Sequence, residues 1–432
     1  MSQVSEVSRV SRVMVFGANR WQLAKAAELG VEVVLVQKPV EVDEEGFGYC
    51  DRVYIFDYQD LELTTLVAKR EHAARPLSRT VSQSDVGQMV AGYVNDLLGL
   101  PGNSFKTART LHDKYAMRQL LNANGIGVVP CALAGSKQDM LDFAARHREF
   151  VIKPRMGHSS LGVRVVTGSD DLDGAWAWWE RFGVGDCLLE KRLVGKEFSA
   201  ESFSLDGEHV VVATTDKVQR GVIELGHTVP AILTGDQFAA VQSLVVSAMT
   251  AVGVVDGPGH TEIMLTDEGP RIVEAHCRRP GDFVNFLVEM ATGADMEKET
   301  FRLAVGGVDL SRIAMPPKPH RAASVRYFTA DPGRVTAVTV PDDLRTRPGL
   351  VDMAVETGAG DIVRELRWSY DRCGWLIVVG HEPLAVRDLA GEYASSVVFE
   401  VEPVDPADES MADESMADLL RGTLGEAVDP FA

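Results

Sequence analysis

The stretch that decides the fold is HTEIMLTDEGPRIVEAHCRRPGD, residues 260–282. It reads as a β-hairpin: an apolar run Ile263–Leu265, a turn-rich Thr266–Pro270, then Ile272–Val273 leading into Glu274. Pairing Leu265 with Arg271 across that turn sets Glu262 directly opposite Glu274. Strand side chains alternate faces, so both carboxylates and His276 then share one face. Like charges opposite each other on a sheet repel. A hard divalent cation relieves the repulsion, since Mg²⁺ is held by one or two carboxylates together with substrate phosphates. Two readings compete: a carboxylate pair for acid–base work, and a register one residue different with one glutamate in solvent. On the metal reading, deleting Glu274 leaves the metal-free fold largely intact. Arg278 and Arg279 follow, planar and permanently charged forks suited to carboxylate or phosphate.

The rest of the chain limits what such a hairpin serves. Its 432 residues are too many for one core and suggest about three domains at ~150 residues each. Composition is that of a globular protein, 45% hydrophobic and 25% charged, with mean hydropathy near zero. A net charge of −20 argues against a general nucleic-acid or anionic-membrane surface, while leaving room for a local basic pocket. The five cysteines are scattered without a C-x-x-C pair, which suits reduced thiols in a cytoplasmic protein. Met1–Arg12 is polar, unlike a signal peptide, and no apolar run approaches the ~20 residues of a membrane span.

Val13–Phe16, Val31–Gln37 and Arg52–Asp57 alternate with helical patterns, which predicts a parallel α/β sheet. Helices are expected over Met89–Gly102, Thr107–Asn124, Gln237–Val254 and Phe283–Gly293, with a Trp-rich helix around residues 171–183 whose aromatics belong to a core. Strands and turns dominate after Met315–His320, and the acidic sequence ADESM then occurs twice in tandem, a solvated tail.

Lys153 ends a very apolar strand, Phe150–Pro154, where a buried ammonium needs an anionic partner or an exit to solvent. Lys114 reads as mid-helix, on a solvated face. The turn from Met156 to Gly162, with Gly157, Ser159, Ser160 and Gly162, can fold over phosphates through backbone N–H groups, though it is no Walker A sequence. Glu190, Lys191 and Leu193 lie where one strand crosses to the next, and Glu197 opens that next strand. Such a crossing can present main-chain groups to a flat heterocycle and a carboxylate to a ribose, or be an ordinary connection.

In this order, the pieces resemble the ATP-grasp superfamily, specifically its carboxylate–amine ligases, over roughly residues 107–306. The segments Gly226–Ala231, His260–Ile263 and 269–282 resemble the bacterial L-amino-acid ligases that make dipeptides. The implied fold class is α/β and α+β: an ATP-grasp fold with an N-terminal Rossmann-like parallel domain (1–106), the ATP-grasp domain (107–310), a small C-terminal α+β domain (311–404) and the acidic tail (405–432). The resemblance also implies site roles. Lys114 and Lys153 would contact ATP phosphates, with Gly157, Ser159, Ser160 and Gly162 closing over them. Glu190, Lys191 and Leu193 would hold adenine and Glu197 the ribose. Glu262 and Glu274 would bind Mg²⁺, Arg278 would touch the transferred phosphoryl group or the substrate carboxylate, and Glu224 and His227 would line the amino-acid site.

The family pattern has Asn where this chain has His276, and imidazole suits hard Mg²⁺ poorly. A bridging water, a metal held mainly by Glu274, acceptance of Mn²⁺, or a supporting role for His276 each accommodates the change. The activity implied is ATP-dependent joining of a carboxylic acid to an amine through an acyl phosphate, as in dipeptide or peptide-antibiotic synthesis. A carboxylase or formate-using transferase of nucleotide metabolism and a non-catalytic ATP-binding module are the alternatives. The expected partners are small molecules, and a homodimer is in keeping with the class.

Overall fold

The computed structural model describes residues 11–157, 161–168, 171–182, 185–316 and 321–404. Ser159, Ser160 and the ADESM tail lie outside them.

The apolar runs at the start are continuous because both faces of their sheet are covered. Strands β1 (Arg12–Phe16), β2 (Glu32–Gln37), β3 (Arg52–Ile55) and β4 (Arg79–Val81) make a parallel sheet in the order β3-β2-β1-β4. The helix expected over Met89–Gly102 runs over Asp85–Leu98, because Ser84 caps its start and Gly99, at φ +67°, ends it. The helix expected over Thr107–Asn124 is two, Phe105–His112 and Lys114–Ala123. Asp113 breaks it by accepting from the Tyr115 and Ala116 amides, while the Lys114 amide donates to the Arg155 carbonyl. Lys114 therefore opens a helix and is buried, contrary to the solvated mid-helix position expected.

A small antiparallel sheet follows: β5 (Cys131–Ala134), β6 (Phe150–Pro154), β7 (Arg164–Val166) and β8 (Cys187–Lys191), ordered β5-β8-β6-β7. Trp176 and Trp179 pack with Phe143 and Phe150 beneath it, core residues as their spacing implies. The remaining strands are β9 (Lys196–Leu205), β10 (Glu208–Arg220), β11 (Ile223–Val229), β12 (Gly257–Thr266), β13 (Gly269–His276), β14 (Ala322–Phe328), β15 (Gly333–Thr339), β16 (Leu350–Val355), β17 (Ile362–Val363), β18 (Gly374–Gly380) and β19 (Val398–Glu402). One eight-stranded sheet runs β13-β12-β9-β10-β11-β14-β18-β16, joining strands from either side of residue 310, and β17-β15-β19 form a third antiparallel layer. Helix Gly235–Val252 buries Val241, Val245 and Met249 against Phe198, Ile263 and Ile272.

The 260–282 hairpin forms, and Glu262 pairs with Glu274. The register between them and the turn differs from the expectation. Leu265 pairs with Pro270 rather than Arg271, because Thr266 closes a tighter turn: its hydroxyl donates to the Gly269 carbonyl and accepts from the Glu268 amide. A bulge after Glu262 takes up the extra residue on β13 and restores the pairing. Two departures of opposite sense leave the carboxylates face to face.

Asp113→Ala removes a helix cap and the carboxylate paired with Arg155. A loss of about 1–2 kcal/mol is expected, read as a lower urea midpoint at unchanged m-value.

Candidate active site

The hairpin strand β12 lies between β13 and β9, so its outward side chains face a cleft of about 700 Å³ roofed by the small sheet. Within it, Glu262 and Glu274 do not confront each other bare. Glu262 Oε1 lies 2.9 Å from Lys217 Nζ and 3.6 Å from His260 Nε2. Glu274 Oε1 lies 2.9 Å from both Lys114 Nζ and His276 Nε2. Burial works to raise both carboxyl pKa values, and these cations outweigh it, holding Glu262 well below the carboxylate range with Lys217 the largest contribution. The repulsion anticipated from the sequence is thus already answered by the protein's own cations.

Each imidazole is fastened from behind by a second acid. His260 Nδ1 donates to Glu201 at 2.7 Å, and Glu201, fully buried, also accepts from Ser199 and Thr215 hydroxyls. His276 Nδ1 is 2.8 Å from Asp85, whose other oxygen accepts from Arg278 Nε at 2.7 Å. The two rings stack with centroids 6.0 Å apart. Burial lowers the His276 pKa, and the Asp85 and Glu274 carboxylates together raise it by more, so the net shift is upward. With carboxylates on both ring nitrogens, His276 is built to hold Glu274 and Asp85 in place.

The wall carrying Lys153 is a buried relay. Lys153 Nζ sits 2.6 Å from Glu190 Oε2, and Arg118, fully buried, reaches Glu190 Oε1 at 2.6 Å. Desolvation raises the Glu190 pKa, and the Lys153 and Arg118 charges lower it by more. Lys114 Nζ also donates to the Gly157 carbonyl at 2.7 Å, joining the second lysine to the turn. Gly157, Glu190, Lys191, Leu193 and Glu197 all line the same cleft. Gly162, at φ +69°, follows Leu161, which lines it too, whereas Ser159 and Ser160 lie outside the described residues.

At the opposite end Glu224 Oε2 and Asp282 Oδ2 lie 3.7 and 3.5 Å from His227 Nε2. Arg372, from the C-terminal segment, grips Asp282 with two bonds of 2.8 and 2.9 Å and lies 3.6 Å over the Tyr327 ring. Asp282 and Phe283 both have positive φ, 48° and 62°. Such backbone costs free energy, and the Arg372 fork helps hold it.

Sequence reasoning missed Lys217, Asp85, Arg118, Glu201, His260, Asp282 and Arg372 as site residues. Lys217 is the most consequential: its side chain is 2% exposed and reaches Glu197, Glu224 and Glu262 at 2.9, 2.6 and 2.9 Å. Burial depresses its pKa, and the three carboxylates raise it well above the ordinary value. The signal available was a lysine following Asp216 after the uncharged, apolar middle of a long strand, Val210–Thr215.

With this geometry in view, comparison with known proteins is specific. The ATP-grasp domain family matches residues 147–285, and the family of L-amino acid ligase C-terminal domain 2 matches residues 326–402, the part that carries Arg372. The chain is an ATP-grasp protein with an L-amino acid ligase C-terminal domain. This ATP-grasp protein is 22% identical over 338 residues to the L-arginine-specific L-amino acid ligase of Bacillus subtilis, covering 74% of this chain and 80% of that one. It is 23% identical over 330 residues to dapdiamide A synthase of Enterobacter agglomerans, covering 72% and 76%. The crystal structure of the L-amino acid ligase from Bacillus licheniformis superposes with a TM-score of 0.77 at 18% identity, covering 91% of this chain and 99% of that one, which establishes a common fold. Among the described residues no helix of this ATP-grasp protein is long and apolar enough to cross a membrane.

Two outcomes follow. Glu274→Ala strands Lys114 as a buried cation and leaves His276 with Asp85 alone, so the metal-free protein loses about 3–5 kcal/mol, seen as a lower melting temperature, and Glu274→Gln loses less. This overturns the expectation that the fold would be indifferent to that deletion. For His260, burial lowers its pKa and Glu201, then Glu262, raise it, to about 9 from 6.5. A folded pKa above the unfolded one stabilises fully below pH 6.5, and that contribution is lost as pH rises through 9. The melting temperature should therefore fall over that window, and less steeply in His260→Gln; equal slopes would remove His260 as the cause.

Proposed function

We propose that the protein is an ATP-dependent ligase that joins the carboxylate of a small acid, an amino acid or close relative, to an amine and releases ADP and phosphate. One observation carries the reading. The facing pair Glu262 and Glu274 lies in one cleft between Lys114 and Lys153 on one side and Glu224, His227 and Asp282 on the other. Triphosphate and amino-acid substrate would then meet over the pair.

The donor set fits a divalent cation of the Mg²⁺ class through its two carboxylates, opposite in register on the cleft face, with His260 and His276 beside them as supports. Glu262 and Glu274 would hold it, and when bound it offsets charge on the phosphate oxygens. Mn²⁺ suits the same oxygens.

The chain's own groups perform the remaining work. Lys114 and Lys153 face the phosphates, and Glu190 with Arg118 keeps Lys153 in place. Glu190, Lys191 and Leu193 line the adenine end and Glu197 the ribose. Arg278, aligned by Asp85, presents its fork where the acid's carboxylate oxygen attacks the γ-phosphorus. That bond forms as the bond to the ADP oxygen breaks, giving an acyl phosphate. The amine, placed by Glu224 and Asp282, attacks the acyl carbon, phosphate leaves, and the amine proton is lost to an acceptor near His227. Stabilisation of developing phosphoryl charge and exclusion of water from the acyl phosphate supply the rate.

The test is an ADP-release screen over amino-acid pairs and small carboxylates with ATP and Mg²⁺, followed by product mass. ADP and phosphate in equal amounts with an amide product are expected. AMP and pyrophosphate would overturn the acyl-phosphate route, and release dependent on bicarbonate or formate would transfer the protein to the carboxylase or transferase class.

A further inference from the structure

A second cavity, about 350 Å³, opens off the first toward the N-terminal sheet, and the two share Asp85, Glu274 and Arg278. We propose that it receives the far end of the acid substrate, and that this end is polar and carries both a hydrogen-bond donor and an acceptor, as a carboxamide or an amino-acid head group does. The proposal rests on the ligase reading above.

Position is the first argument. Lys38 follows β2, Tyr58 lies beyond β3, and Gln83 follows β4, so the cavity sits at the carboxyl ends of the parallel strands. In the order β3-β2-β1-β4 the chain turns from one side of β1 to the other, and open α/β sheets bind ligands in the crevice at that point.

Chemistry is the second. Gln83 lines the cavity at 5% exposure, and neither its amide nitrogen nor its oxygen has a hydrogen-bond partner among the described residues. In folded proteins most buried polar groups are paired, so an unmet amide that also lines a cavity points to a ligand that supplies its complement. An apolar end would leave both atoms unmet. Lys38 and Glu41 add one charge of each sign on the same wall, which suits a dipolar or zwitterionic group better than a simple anion. Lys38 is steadied by Gln59 at 2.5 Å and by the Tyr58 ring, whose centroid is 5.2 Å away.

Direction is the third. The reacting carboxylate must lie at Arg278, and Arg278 stands at the junction of the two cavities. Glu224 and Asp282, suited to an ammonium, line only the larger one. The amine therefore approaches from that side, and the body of the acid extends the other way, past Asp85 toward Gln83.

The experiment measures calorimetric binding to the full chain, with ADP and Mg²⁺ present, of carboxylic acids matched in length but ending in a methyl, a carboxamide or an amino-acid head group. Wild type should prefer the polar ends by on the order of tenfold or more, as sites built to hydrogen-bond a group reject analogues lacking it. Gln83→Met should erase that preference, leave ADP affinity unchanged, and melt at or above the wild-type temperature because it removes an unpaired buried amide. Absence of preference in wild type, or equal weakening of all three acids in the variant, overturns the proposal. Should Gln83→Met fail to fold, Lys38→Met reads out the same preference, and an unchanged preference there overturns the zwitterion arm and leaves the carboxamide. Preferential binding without ADP release from any acid and amine defeats the ligase reading and keeps the pocket. ADP release without end-group preference does the reverse.

Discussion

Lys217 is the constraint on which the cleft depends. Its ammonium touches Glu197, Glu224 and Glu262, three residues from different strands that face nucleotide, amine and metal respectively on the proposed reading. Three carboxylates within reach of one buried point repel strongly in a medium less polar than water. A single cation with three donors satisfies them together, and a compact ammonium fits that geometry where a planar guanidinium would not. Lys114 does the same for Glu274 and the Gly157 carbonyl, and Lys153 with Arg118 for Glu190. The strands can therefore close into the cleft before any ligand arrives.

This arrangement also links the subsites. On the proposed reading, a cation bound between Glu262 and Glu274 would compete with Lys217 and Lys114 for the same carboxylate oxygens. Weakening the Lys217–Glu262 contact would strengthen its hold on Glu197 and Glu224, the other acids beside the ammonium among the described residues. Binding at the nucleotide end thus alters the field met by an amine at the other end, and by linkage the influence is mutual. The imidazoles limit how far the carboxylates can shift, since Glu201 and Asp85 anchor them from outside the cleft.

What could be read from the sequence follows from how local each signal is. Alternation along β12 and β13 and the Thr266–Gly269 turn lie within twenty residues, so the facing glutamates were legible even though the register was wrong in two places that cancel. Lys153 announced itself by an apolar strand that demands a partner for its charge. Asp113 was misread because a capping aspartate within a continuous apolar periodicity looks like an exposed helical residue. Asp85 and Arg372 were illegible for a different reason. They stand 193 and 90 residues from the Arg278 and Asp282 side chains they grip, and nothing local to either marks it as a partner. Lys217 was hidden by its own ordinariness, since strand lysines are usually solvated, and only the folded sheet brings three acids to it.

The charge count of the cleft explains why so acidic a chain can receive a polyphosphate. The protein carries a net charge of −20, yet among the described residues seven lysines and arginines line the larger cavity against seven aspartates and glutamates. Locally the walls are balanced, so the general field of the protein is answered where it matters, and its long-range part is screened by salt beyond about 10 Å. Balance also means that the lysines are not free to neutralise a triphosphate alone. Lys114, Lys153 and Lys217 are each already engaged by a carboxylate, and turning one toward phosphate uncovers that carboxylate. An incoming polyanion therefore leaves a surplus of negative charge on the hairpin face, at Glu262 and Glu274. Two carboxylates and phosphate oxygens around one point are what a hard divalent cation binds. On the proposed reading, the need for a metal would then arise from the balanced charge of the cleft walls, and not from the two glutamates alone.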